Sequence, residues 1–217
     1  MASSWERLYS ETVGAGGAYK FDTGVAGITA KKYLKIIIQI NKNAGTYNGN
    51  PLENTIGFEF NGSNTANKYP MRRTTDGASD STITNYTYLY QGYGGTHVNR
   101  YFVADIINIA NKEKIVLMEQ IETVTGAGTA PHRTEAVGKW VHNEQITDVQ
   151  CYGIGAPVDA NTDYVPYGEG SSMTIYGTDD QPSTPFYPNL LNGAIFEDTT
   201  DGNHYMFDGT SAWNEVV

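Results

Sequence analysis

The side chains with chemistry to offer in this sequence are four histidines, one cysteine, 24 carboxylates and one pair of adjacent arginines. His132 and His142 lie ten residues apart with no cysteine at ligand spacing, and His97 and His204 stand alone. No zinc pair is expected, and all four read as polar surface residues. Asp159, Asn161 and Asp163 put oxygen ligands at alternate positions, as a calcium loop begins. Tyr164 then occupies the place of the sharp-turn glycine and Gly170 that of the bidentate glutamate, so an ordinary acidic loop is expected, with Ca²⁺ as the weaker alternative. Glu197, Asp198 and Asp201 crowd one probable hairpin, where solvation is the simple account; paired glycosidase carboxylates need a fixed separation that a sequence does not display. No Gly-x-Ser-x-Gly elbow occurs and no Ser-His-Asp set can be assigned. Gly14-Ala15-Gly16-Gly17 lacks the Lys-Ser/Thr of a phosphate loop and reads as a tight turn. Cys151 is alone, which excludes an internal disulfide, and with no His or Lys beside it reads as a small buried residue. Neither enzymatic activity nor a cofactor is expected.

Two groups suit binding better than catalysis. Arg72-Arg73 is the only adjacent arginine pair, solvated by default but of the right geometry for an acidic partner. Tyr86, Tyr88 and Tyr90 recur at period two, which puts them on one face of a strand. Such a face is most often packing between sheets; its other use is as a platform for sugar rings.

The elements that must position these residues are strands. Tyr33–Ile40 is the most apolar run, short and rich in isoleucine, and is expected to be the central strand. Trp5–Tyr9 reads as an edge strand, and Tyr19–Phe21 and Thr55–Phe60 alternate in the same way, the latter stopping at the turn dipeptide Asn61-Gly62. Further strands are expected at Thr82–Tyr90, Val98–Ile109, Lys114–Val124, Gln145–Tyr152 and Ser172–Gly177. Ser63–Asp80 reads as a long surface loop and Gly126–Glu135 as a polar connection. The Pro-rich stretch 178–192 is linker-like, and 193–217 has the pattern of a three-stranded meander with turns at Asp201-Gly202-Asn203 and Asp208-Gly209. The expected organisation is a β-sandwich domain over 1–177, the linker, and a docking module too small to stand alone. The expected fold class is all-β, an antiparallel sandwich of jelly-roll-like type.

Charge is polarised along the chain. All 14 Lys and Arg lie at or before Lys139, together with 12 acidic residues, whereas 141–217 holds 12 Asp and Glu and no Lys or Arg. Basic residues so nearly balanced and scattered disfavour nucleic acid as a partner. The acidic part suits complementary patches between copies or against a basic partner. No stretch approaches the roughly 20 apolar residues of a membrane-spanning helix, so no membrane partner is expected. The opening Met1–Arg7 has no signal-like core, which suggests synthesis in a cytoplasm.

Three stretches resemble virion-associated structural proteins of tailed bacteriophages. They are Ser4-Trp5-Glu6-Arg7-Leu8 with Ala30–Leu34; Ile109–Lys114 with Gly128–Arg133 and Gly138-Lys139-Trp140; and Ala194–Tyr205 closed by Trp213. The resemblance spans most of the chain and carries over no catalytic residue. It implies a non-enzymatic capsid decoration or cement protein on the outer surface of the capsid. Such a protein is made in the host cytoplasm and binds the major capsid protein, or another virion protein, and its own copies as a homo-oligomer. The alternative is a carbohydrate-binding receptor-recognition module of a tail or head fibre. Arg72, Arg73, Tyr187, Phe196, Tyr205 and Trp213 are the expected partner-binding residues, the aromatic four as buried anchors.

Overall fold

The computed structural model describes residues 5–41, 46–47, 50–51, 55–91, 99–123, 126–154, 167–179, 195–197, 204–207 and 213–216. Among them the regular elements are all strands. In chain order these are β1 (Glu6–Thr12), β2 (Lys20–Asp22), β3 (Tyr33–Ile40), β4 (Thr46–Tyr47), β5 (Asn50–Pro51), β6 (Thr55–Phe60), β7 (Met71–Thr75), β8 (Ser81–Ile83) and β9 (Leu89–Gln91). They continue as β10 (Arg100–Ile107), β11 (Lys114–Glu122), β12 (His132–Trp140), β13 (Val149–Ile154), β14 (Ser172–Thr178), β15 (Ile195–Glu197), β16 (His204–Phe207) and β17 (Trp213–Val216). The described residues contain no helix long and apolar enough to cross a membrane.

The chain divides into two units, Trp5–Asp179 and a second that joins Met1–Ser4 to Asp180–Val217. The first is built on two antiparallel sheets, one in the order β1-β14-β3-β10-β11-β12-β7-β8 and the other β2-β13-β6-β9; β4 and β5 form a small ribbon. The all-β, antiparallel expectation therefore holds. β3 has the predicted limits and sits inside the larger sheet, flanked by β14 and β10. Its Leu34, Ile36, Ile38 and Ile40 are buried, each contributing about 1.5–3 kcal/mol relative to exposure. The two inner faces meet through aromatic side chains: Phe58 stacks on Phe102 with centroids 4.9 Å apart, and Phe60 meets Trp140 at 5.9 Å. At the Asn61-Gly62 turn both residues have positive φ and Ser63 N–H donates to the Phe60 carbonyl at 2.9 Å, a reversal that asparagine and glycine tolerate best.

Several expectations are corrected. Ser63–Asp80 is more than a surface loop: it contains β7, with Tyr69 and Met71 buried. Gly126–Glu135 is more than a connection, because β12 begins at His132 inside it. Thr82–Tyr90 is two strands in different sheets, β8 and β9. The strand expected at Gln145 begins at Val149, since Asn61 and Asn108 side chains hold the backbone of Gln145–Asp148 by hydrogen bonds of their own. Thr178 closes β14, and Asp179 accepts from Lys32 N–H at 3.1 Å; the remainder of the expected linker, 180–192, lies outside the described residues. In the second unit β15, β16 and β17 form a three-stranded antiparallel meander.

Candidate functional site

The most distinctive surface belongs to the outward side of the larger sheet. In β11 the inward set is Lys114, Val116, Met118, Gln120 and Glu122, all buried, whereas the outward set is Ile115, Leu117, Glu119 and Ile121, all exposed. The more apolar set faces out, the reverse of what burial would select on an isolated sheet, and because side chains alternate this assignment is fixed for the whole strand by its register. Neighbouring strands continue the surface. Across it, Tyr101 of β10 opposes Ile121, Ile107 opposes Ile115, and Val137 of β12 opposes Leu117. These six side chains are between 41% (Ile107) and 53% (Leu117) exposed, so an apolar field lies open on three adjacent strands. A soluble surface seldom carries such a field without a partner.

Charges are set into the field in opposed pairs. Lys35 bonds Asp105 at 2.6 Å, Lys139 bonds Glu113 at 2.6 Å, and Arg133 lies 3.6 Å from Glu135. Glu119 stands directly opposite Glu135 in register, and among the described residues it has no ion-pair partner. A groove of about 340 Å³ runs beside it, lined by Arg72, Thr74, Leu117, Glu135 and Val137.

Arg72 and Arg73 do not act as a pair. Successive strand residues point to opposite faces. Arg72 stays exposed on the outward side, opposite Val137 and 3.9 Å from Asp80, and so joins the face. Arg73 turns the other way, with its guanidinium 4.5 Å from the centre of the Tyr90 ring. The adjacent guanidiniums thus have different neighbours, Asp80 for Arg72 and the Tyr90 ring for Arg73.

The inward side of the same strands has charge at both ends and apolar residues between them. At one end Arg100 Nε and Glu122 Oε1 lie 3.2 Å apart, almost wholly buried, and Gln120 donates to the same carboxylate oxygen at 2.6 Å. At the other end Lys114 directs its ammonium at the carbonyls of Ile109, Lys112, His142 and Asn143, which ties two loops together. Burial pulls the Lys114 pKa below its ordinary value. These groups hold the ends of the sheet together.

Tyr86, Tyr88 and Tyr90 do gather, although not along one strand. Tyr86 and Tyr90 have centroids 4.9 Å apart, Tyr86 and Tyr88 meet edge to face at 5.6 Å, and Tyr88 meets Tyr152 of β13 at 5.8 Å. Gly57 of β6 is the register partner of both Tyr152 and Tyr90, a gap with no side chain that the tyrosine cluster surrounds. The Tyr152 hydroxyl donates to Glu59 at 3.0 Å, and burial raises that carboxyl above its usual range. Burial likewise pushes Tyr90 up to about 12. Tyr88 meets Tyr86, Tyr90 and Tyr152 edge to face, whereas the Tyr86 and Tyr90 rings lie within 32° of parallel.

Cys151 is fully buried, 3.5 Å from the Tyr167 hydroxyl, and burial pushes its thiol up to about 12. His132 bonds Asp76 at 2.6 Å and His142 stacks on Trp140, while His204 is exposed. Among the described residues no group of three or more His, Cys, Asp or Glu could hold a metal ion. Asp159, Asn161, Asp163 and Tyr187 lie outside the described residues. Phe196 and Tyr205 are direct register partners in the meander, and Trp213 pairs with Phe207. The sequence predicts a strand over Lys114–Val124 but does not by itself show which of its two faces is inside. Compared with protein-family models, curated proteins and solved structures, the chain finds no match.

Proposed function

We propose that this chain is a non-enzymatic structural protein of a virion, a capsid decoration or cement protein on the outer surface of the shell, made in the host cytoplasm. The observation that carries the reading is the open apolar field on β10, β11 and β12, a surface suited to permanent association and to no small ligand. The three stretches that resemble phage structural proteins support the particular assembly.

The two-sheet unit reads further as a jelly roll with an extension. Of its strands, β1, β2, β3, β6, β9, β10, β13 and β14 are taken as the eight of that fold. The orders β1-β14-β3-β10 and β2-β13-β6-β9 are then those of a jelly roll wound from two Greek keys. On this reading β11, β12, β7 and β8 are additions that widen one sheet, and the additions carry most of the apolar field.

The alternative, a carbohydrate-binding module of a tail or head fibre, draws on the cluster of Tyr86, Tyr88, Tyr90 and Tyr152. It is the weaker reading because Tyr88, at the centre of the cluster, has its neighbours packed edge to face on it. Co-sedimentation separates the two. The protein is expected to pellet with empty capsid shells and to ignore host polysaccharide; binding to polysaccharide without binding to shells reverses the assignment.

A further inference from the structure

Resting on the reading of the outward face as an interface, we infer that its occupant is a second copy of this chain, packed face to face through β3, β10, β11, β12 and β7. Charge is the first argument. The chain as a whole carries a net charge of -10, which opposes self-association. On this face, however, Lys35, Arg72, Arg133 and Lys139 stand among Asp80, Asp105, Glu113, Glu119 and Glu135, so the field is close to neutral. A strongly basic or acidic partner finds no complement in such a surface. An identical surface does, because each copy brings both signs around an apolar centre, and an isologous contact needs a patch that complements itself.

The second argument is size. Five strands from β3 to β7 spaced by about 4.8 Å, over about seven residues of about 3.4 Å each, give a planar footprint of about 570 Å². Stable interfaces bury about 800 Å² per partner, so this face supplies most of the area that a stable pair needs. The third argument is Glu119. It faces Glu135 within its own sheet, an unfavourable placement for like charges. In a face-to-face pair the arginines and lysines of the opposing copy come within reach of it.

Sedimentation equilibrium over a wide concentration range tests this directly. Wild-type protein is expected at twice the 23.8 kDa of one chain. Leu117→Glu, and separately Ile115→Ser with Ile121→Ser, are expected to raise the dissociation constant by at least about tenfold while leaving the circular dichroism and melting temperature of the fold in place. These positions are exposed, so folding tolerates the changes. A wild-type protein that stays monomeric, or a dimer indifferent to both variants, overturns the inference. If the protein is monomeric yet both variants lose co-sedimentation with shells, the second copy is wrong and the shell reading stands. If the dimer breaks as expected but wild-type protein never pellets with shells, the self-association stands and the shell reading falls.

Discussion

Leu117 and Val137 stand directly opposite each other on the outward side of β11 and β12, each about half exposed. Their inward neighbours on the same two strands are Met118 and Ala136, which are buried and also paired in register. Residues on both sides of this part of the sheet are therefore apolar, as in a sheet covered on two faces, while only one face is covered by the described residues of the unit Trp5–Asp179. That surplus of apolar surface is the structural basis of the functional reading.

The buried pair of Arg100 and Glu122 is expected to be costly to break. Glu122→Gln leaves a guanidinium in the interior without its counter-charge and is expected to destabilise the protein by about 3 kcal/mol. Denaturant unfolding measures it, and a loss below about 1 kcal/mol would mean that the charge reaches water in the native state.

Lys114 is expected to matter through its hydrogen bonds and not through any reaction. Lys114→Met removes the donor from four carbonyls at the end of the β10–β11 hairpin. The expected loss is about 1–3 kcal/mol, with faster amide exchange in 109–113 and 141–144 than elsewhere. Unchanged exchange in those two loops contradicts the tie.

Cys151 is expected to be inert in the native protein. Its thiol is fully buried and pushed up to about 12, so a thiol reagent at neutral pH should modify it only as fast as the unit opens. Adding denaturant should bring reaction to completion at once; rapid modification without denaturant would place the residue at the surface.

Asp76 gives the turn between β7 and β8 an acid dependence. Bonds from Arg133 N–H and the His132 ring hold its carboxyl below the usual carboxylate range. A group depressed on folding stabilises the native state fully above the unfolded value of about 3.9 and loses that contribution as pH falls through the lower folded value. The side chain is well exposed, so the effect is small. Asp76→Asn is expected to flatten the slope of stability against pH below about pH 4 and to leave stability above pH 5 little changed apart from the lost bonds. A slope identical to wild type removes Asp76 from the account.

Where the sequence was legible, local pattern and tertiary placement agreed. Tyr33–Ile40 has its predicted limits because four inward residues are aliphatic and the run is bounded by polar chain. β12 was hidden for the opposite reason: its inward residues include the small Thr134, Ala136 and Gly138, the last with Leu89 and Met71 packed against it. A side chain placed on Gly138 would lie 2.5 Å from the Leu89 Cδ2, so Leu89 would have to shift to admit it. β7 was hidden because Arg72 and Arg73 interrupt any apolar alternation, one leaving for solvent and the other covering Tyr90. The tyrosines were correctly grouped but wrongly strung on one strand, since the chain leaves the larger sheet after Ile83 and joins the smaller one at Leu89. In β11 the run Ile115–Met118 is apolar without a break, and only the inward placement of Lys114, Gln120 and Glu122 shows which face is open.

The central claim, that the outward face is covered in the assembled protein, is tested most directly by a single introduced thiol. Because Cys151 is buried, Leu117→Cys adds the one reactive sulfur of the described unit, at the middle of the field. Its rate of maleimide labelling can be followed in dilute protein, in concentrated protein and in the presence of shells. The account predicts full labelling on dilution and strong protection under association; labelling at the free rate under all three conditions would contradict it.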